Sequence, residues 1–245
     1  MCELFGLSAS QAVTLEDTLC AFRRRGGLAA DNPDGWGLAW QENGAFSLAK
    51  EPLPAHESAL FGRLCATTRS NLMIAHVRKA RLPPVNTVDN THPFRRQCCD
   101  REWVFAHNGL VPDIVAMERA NSDPVCRPDG ETDSEYAFCH LLSHISRYLQ
   151  ASPAASGCIA YPAVAVISEL IASHGKFNFL MSDGEHLIAY GHDRLHYLEQ
   201  SGPDARTQIA TEPLSGHEGW TPFAPGELRI YRAGRSVARM LTRPS

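Results

Sequence analysis

The sequence predicts an α+β fold in which two antiparallel sheets pack together with helical layers outside. Strand and turn patterns dominate the chain up to Gly109, two long helical patterns occupy its middle, and short strands separated by turns return from Phe177 to the end. No internal repeat, low-complexity tract or linker divides the sequence, so one domain is expected over residues 1–245.

The chain opens on Met1-Cys2 and an apolar run through Leu4, Phe5, Gly6 and Leu7, which reads as a first strand. Thr14-Leu-Glu-Asp17 has the form of a helix cap, with the Thr14 hydroxyl serving exposed amides and Asp17 reciprocating. That helix is expected to reach about Arg25. Arg23, Arg24 and Arg25 suit the negative end of its dipole, and Gly26-Gly27 supply a stop. Asn32-Pro-Asp-Gly35 is a turn sequence, after which Trp36 to Trp40 and Ala45 to Ala49 flank Asn43-Gly44 as a hairpin. A short helix over Ser58 to Thr68 leads into a strand, Leu72 to Val77, that ends on Arg78. From Lys79 to Arg101 the prolines Pro83, Pro84 and Pro93 interrupt any periodicity, which predicts a long ordered loop.

Trp103 to His107 reads as a strand running into Asn108-Gly109. Thr132-Asp-Ser-Glu135 is a capping box ahead of a helix over Tyr136 to Leu149, whose apolar residues Phe138, Leu141, Leu142, Ile145 and Leu149 share one face. A second long helix starts at Pro162 and stops at Gly175. Phe177 to Met181 and His186 to Tyr190 flank Asp183-Gly184 as a hairpin, followed by strands near His196 to Leu198, Gln208 to Ala210, Leu228 to Tyr231 and Ser236 to Leu241.

Bulk properties narrow the function classes. A net charge of −4 argues against a nucleic-acid partner, because phosphate binding shows as a basic excess. No apolar run approaches the ~20 residues that cross a bilayer, and early acidic residues interrupt anything resembling a secretory leader, so an intracellular, cytoplasmic protein is expected. In that compartment the eight cysteines are expected as reduced thiols. Cys98, Cys99, His92 and His107 match no standard zinc spacing, so no metal and no cofactor is expected.

Chemistry centres on Cys2. Initiator methionine is normally trimmed ahead of so small a side chain, and a cysteine at the mature N-terminus carries a thiol and an α-amine of pKa about 7.7–8.0 on one residue. Nucleophile and base then coincide. Alone, Cys2 reads as a small apolar residue at a strand start and Asn108-Gly109 as a hairpin turn, while Arg78 reads equally as a solvated strand-end charge and Asp133 as a first-turn acid.

Taken together, Met1-Cys2, Ala75-His-Val-Arg78, Ala106-His-Asn-Gly109 and Gly130-Glu-Thr-Asp-Ser-Glu135 resemble the glutaminase domain of class II glutamine amidotransferases. Asn32-Pro-Asp-Gly-Trp-Gly37, Thr91-His-Pro-Phe94, Phe177 to Gly184 and Thr211-Glu-Pro-Leu214 are similar to the small stand-alone branch that includes γ-glutamyl hydrolases of the ergothioneine pathway. The resemblance implies the four-layer αββα sandwich of N-terminal-nucleophile hydrolases. It implies a Cys2 thioester, an oxyanion hole from the Asn108 side chain and the Gly109 backbone N–H, Arg78 on the substrate carboxylate and Asp133 on its ammonium. His76 and His107 are expected to be structural, and Ser134 is left without a role.

The implied substrate is a small molecule, glutamine or a γ-glutamyl compound, cleaved at its γ-carboxamide. Because the glutaminase-like domain consumes the whole sequence, ammonia would go either to solvent or to a separate synthase subunit. A non-catalytic glutamine-binding module is the alternative from another class, and the intact Cys2, Arg78, Asn108 and Asp133 set argues against it.

Overall fold

The computed structural model describes residues 1–80, 85–152, 161–214 and 218–244. In chain order the elements are β1 (Glu3–Thr14), α1 (Glu16–Arg25), β2 (Trp36–Glu42), β3 (Ala45–Glu51), α2 (Ala59–Thr67), β4 (Arg69–Val77), β5 (Phe94–Cys98), β6 (Arg101–Leu110), α3 (Ile114–Arg119), α4 (Asp133–Ala151), α5 (Tyr161–Ala172), β7 (Lys176–Ser182), β8 (His186–Gly191), β9 (His196–Gln200), β10 (Arg206–Ala210), β11 (Thr221–Pro222), β12 (Glu227–Arg232) and β13 (Arg235–Leu241).

The strands form two sheets, in the orders β11-β9-β10-β1-β4-β2-β3 and β13-β12-β8-β7-β6-β5. Strand alternation divides the core between their faces. Leu4, Ile74 and Ile209 of the first sheet meet Val104, Leu180 and Leu187 of the second in the layer between sheets. Phe5, Leu7 and Val77 turn outward against Leu19, Phe22 and Phe61 of α1 and α2. Phe105, Phe179 and Ile188 turn outward against Phe138, Leu141 and Ile171 of α4 and α5. Each such side chain contributes roughly 1.5–3 kcal/mol by leaving water. The layer order is the expected αββα.

Local differences from the sequence reading have physical causes. Thr14 does not cap α1; it pairs with Arg69 in the β1–β4 ladder, and the cap position passes to Leu15, whose side chain makes no capping bond. Thr132 does cap α4 by accepting Glu135 N–H, yet the Glu135 carboxylate reaches further back, to the N–H groups of Asp129 and Gly130 and to Arg96. The expected loop from Lys79 to Arg101 contains β5, because Phe94 and Cys98 alternate inward while Arg95 and Gln97 face water. Pro83 and Pro84 lie outside the described residues. The short helix α3 was not foreseen.

Asn108-Gly109 is no turn. Both residues lie inside β6, opposite Asn178 and Phe177 of β7. Glycine is required there by approach rather than by dihedral: a Cβ at 109 would sit 1.8 Å from the Lys176 carbonyl oxygen. Cys126 and Cys139, expected as thiols, are joined in a disulfide with their Cα atoms 5.5 Å apart, within bridging range. Cys158 lies outside the described residues. Among those residues no helix is long and apolar enough to cross a membrane.

Candidate active site

Five segments converge at one end of the layer between the sheets: the start of β1, the end of β4, the end of β6, the N-terminus of α4 and the stretch from Asn90 to His92. They enclose a cavity of about 410 Å³, lined among others by Cys2, Arg78, Gly109 and Asp133. Asn108 does not line it; its side chain is buried just behind.

Register accounts for the first pair. Glu3 pairs with Val77 in β1–β4, and one further step along that ladder brings Cys2 beside Arg78. The Lys79 N–H donates to Cys2 Sγ at 3.1 Å, while the thiol faces the Lys79 carbonyl oxygen at 3.4 Å. Burial pushes the Cys2 thiol up, and the Lys79 amide and the Arg78 charge partly oppose that shift. A thiol in this setting needs a base to become a nucleophile. The end of α1 and the turn before β2 hold the start of β1 in place: Glu3 forms a two-point ion pair with Arg25 of α1, and Asn32 Nδ2 donates to Glu3 at 3.3 Å.

Arg78 is 7% exposed and donates through Nη1 to Asn86 Oδ1 at 2.8 Å. Desolvation lowers its pKa, and the Cys2 and Asp34 charges oppose the shift. Asp133, at the first turn of α4, accepts Val111 N–H at 2.7 Å through Oδ2 and Ser134 N–H at 2.9 Å through Oδ1. Those bonds fix the carboxylate at the cavity wall, where the α4 dipole favours its negative charge.

The sequence left Ser134 without a role; its hydroxyl meets His107 Nδ1 at 2.8 Å, and His107 Nε2 meets the Lys176 carbonyl oxygen at 3.1 Å. Only an Nε2–H can serve that carbonyl, so Nδ1 accepts from Ser134. The ring thereby braces the α4 N-terminus against β6 and β7. Burial lowers the His107 pKa. His76 is pushed down to about 3, first by burial and then by Arg78. His92 lies edge-on to it, with ring centroids 4.2 Å apart, and burial holds its pKa well below the ordinary value. All three rings are neutral near pH 7.

Cys98, Cys99, His92 and His107 do not gather into a ligand set. Cys98 Sγ, at the end of β5, contacts the Sγ of the next residue, Cys99, at 2.7 Å, and Cys98 pairs with Arg101 at the opposite end of β6 from His107. Among the described residues, the group close enough to share an ion is Asp183, Glu185 and His186 in the β7–β8 turn, where Arg101 already pairs with Asp183.

Sequence reasoning missed the Lys79 amide and Asn86, which are backbone and loop contacts with no spacing signal. Thr211 was legible as part of Thr211-Glu-Pro-Leu214: its hydroxyl accepts Leu4 N–H at 2.9 Å and Asn108 Nδ2 at 3.4 Å.

Residues 1–209 match the family model of class II glutamine amidotransferases. The chain is 32% identical to the putative glutamine amidotransferase YafJ of Escherichia coli, over 97% of this chain and 100% of that one. A gamma-glutamyl-hercynylcysteine sulfoxide hydrolase of Mycobacterium tuberculosis is 26% identical, over 81% of this chain and 74% of its own. The crystal structure of a predicted glutamine amidotransferase from Pseudomonas aeruginosa aligns with a TM-score of 0.70 at 28% identity, covering 97% of this chain and 100% of that one. With an αββα sandwich, a family match over most of its length and a relative matched end to end, the chain belongs to the class II glutamine amidotransferases.

Proposed function

We propose that the protein is an amidohydrolase that cleaves the γ-carboxamide of glutamine or a γ-glutamyl compound through a Cys2 thioester, releasing glutamate. The observation that carries this reading is the gathering of Cys2, Arg78 and Asp133 around one cavity: a nucleophile with a cation and an anion suited to an amino-acid end.

Removal of Met1 frees the Cys2 α-amine, which takes the thiol proton. The thiolate adds to the γ-carbonyl carbon, and the π electrons move onto oxygen, toward the Asn108 amide and the Gly109 N–H. Collapse of the tetrahedral species breaks the C–N bond, and the departing nitrogen leaves with the proton held by the α-ammonium. Water then adds to the thioester with the amine as base, glutamate departs and the thiol is restored. No cofactor enters these steps.

Three observations favour a substituted γ-glutamyl amide alongside glutamine itself. The cavity's 410 Å³ falls in the range, roughly 300–1,000 Å³, that holds ligands larger than one amino acid. Leu110, Pro112 and Val115 give part of its wall an apolar surface, and the Mycobacterium tuberculosis relative is named for hydrolysis of a γ-glutamyl compound. Purified protein incubated with a panel of γ-glutamyl amides should release glutamate, and Cys2→Ala should abolish release while the fold persists. Substantial turnover by that variant would sink the mechanism.

A further inference from the structure

We infer that Asp34 is a positioning residue that orients the Arg78 guanidinium through Asn86; this rests on the proposed function, in which Arg78 receives the substrate's α-carboxylate. Read alone, Asn32-Pro-Asp-Gly35 is a turn with no chemical task. In the structure its acid lies against the stretch that follows β4. Asp34 Oδ2 accepts Ala80 N–H at 2.8 Å, and Oδ1 accepts Asn86 Nδ2 at 3.3 Å. Asn86 passes the constraint on, its Oδ1 accepting Arg78 Nη1 at 2.8 Å. Backbone bonds close the ring: Asp34 N–H donates to the Arg78 carbonyl at 3.0 Å, and Arg78 N–H to the Gly35 carbonyl at 2.8 Å.

A guanidinium is a rigid plane of five N–H donors, so fixing one nitrogen fixes the direction of the others. The chain from Asp34 through Asn86 engages Nη1, which also reaches the Asp34 carbonyl at 3.5 Å. Among the described residues nothing meets Nε or Nη2. That free edge carries two parallel donors, the arrangement that grips a carboxylate. Asp34 therefore sets the edge that Arg78 presents without touching substrate. A plain structural role is a poorer account, because the segment has a separate anchor in the Lys79–Asp31 ion pair, and Asn86 is itself exposed.

The test compares Asp34→Ala, Asn86→Ala and Asp34→Glu with the wild type on two chromogenic amides, a γ-glutamyl anilide and the 4-aminobutanoyl anilide that lacks the α-carboxylate. For both alanine variants KM for the γ-glutamyl anilide and the inhibition constant of glutamate should rise together by about tenfold, with kcat within about twofold. kcat/KM on the 4-aminobutanoyl anilide should not change, and Asp34→Glu should recover part of the KM loss. Should Asp34→Ala fail to fold, Asn86→Ala carries the same comparison from an exposed position. Equal losses on both amides, or a fall in kcat at constant KM, would overturn the role of Asp34 and leave the proposed function standing. A wild type that neither hydrolyses the γ-glutamyl anilide nor binds glutamate would overturn both.

Discussion

Asn108 Nδ2 lies 3.4 Å from Thr211 Oγ1, a hydroxyl that also accepts Leu4 N–H at 2.9 Å. Asn108 is thereby tied to the strand that begins beside Cys2. In the proposed mechanism this same amide donates to the developing oxyanion, and at 3.4 Å its bond to Thr211 is a long one. Asn108→Ala should lower kcat by about 10²–10³ with KM little changed. Thr211→Val should lower kcat by no more than about tenfold, the scale of one neutral hydrogen bond. Steady-state kinetics on a γ-glutamyl amide checks both, and a rise in KM alone for Asn108→Ala would mean that the assigned role is wrong.

Arg78→Ala should weaken glutamate binding by about 2–5 kcal/mol, the scale for removing one partner of a buried charge pair. Asp133 needs a gentler change, because its carboxylate also holds Val111 N–H and Ser134 N–H. Asp133→Asn removes the charge and keeps one of the two acceptors, leaving the other N–H unpaired, so affinity should fall together with a loss of about 1–3 kcal/mol of stability, and the titration is made well below the melting temperature. Calorimetric titration with glutamate decides. Unchanged affinity in either variant would remove that residue from the binding site.

The buried histidines set a pH dependence of stability. His76 titrates near 6.5 when unfolded and at about 3 in the fold, so between those values the unfolded chain binds a proton that the native ring refuses. Stability is fully present above pH 6.5 and is lost as pH falls through that window, by about 1.4 kcal/mol per pH unit for a single group. His92 and His107, also lowered by burial, act with the same sign. Urea midpoints from pH 7.5 to 4.5 should therefore decline steeply, and less steeply in His76→Leu. A slope unaffected by His76→Leu would contradict this assignment.

Gly109→Ala places a methyl 1.8 Å from the Lys176 carbonyl oxygen, where a strand must move to admit it. Destabilisation of about 1–3 kcal/mol or more is expected, read as a lower denaturation midpoint. A variant as stable as the parent would show that β6 and β7 have slack at this crossing.

Much of the fold was legible because periodicity and turn chemistry are local. Thr132-Asp-Ser-Glu135 announced α4, and Asn43-Gly44 and Asp183-Gly184 announced their hairpins. Thr14 misled because its ladder partner, Arg69, lies far along the chain. Asn108-Gly109 misled because its partner strand begins at Lys176, and the demand for glycine came from that strand's carbonyl, invisible in a local pattern. The site divides in the same way. Cys2, Arg78, Gly109 and Asp133 stood out through motif resemblance and do share one cavity. The bracing of His107 by Ser134 and the chain from Asp34 through Asn86 to Arg78 depend on contacts between distant segments, which no spacing encodes.

The central claim is that Cys2, once freed of Met1, is the nucleophile. The most direct measurement treats a preparation containing both processed and unprocessed chains with a diazoketone analogue of glutamine, then reads intact masses and maps the labelled peptide. One adduct per chain is expected, on Cys2, in molecules lacking Met1, with hydrolytic activity lost in proportion to labelling. An adduct on another cysteine, or equal labelling of chains that keep Met1, would contradict it.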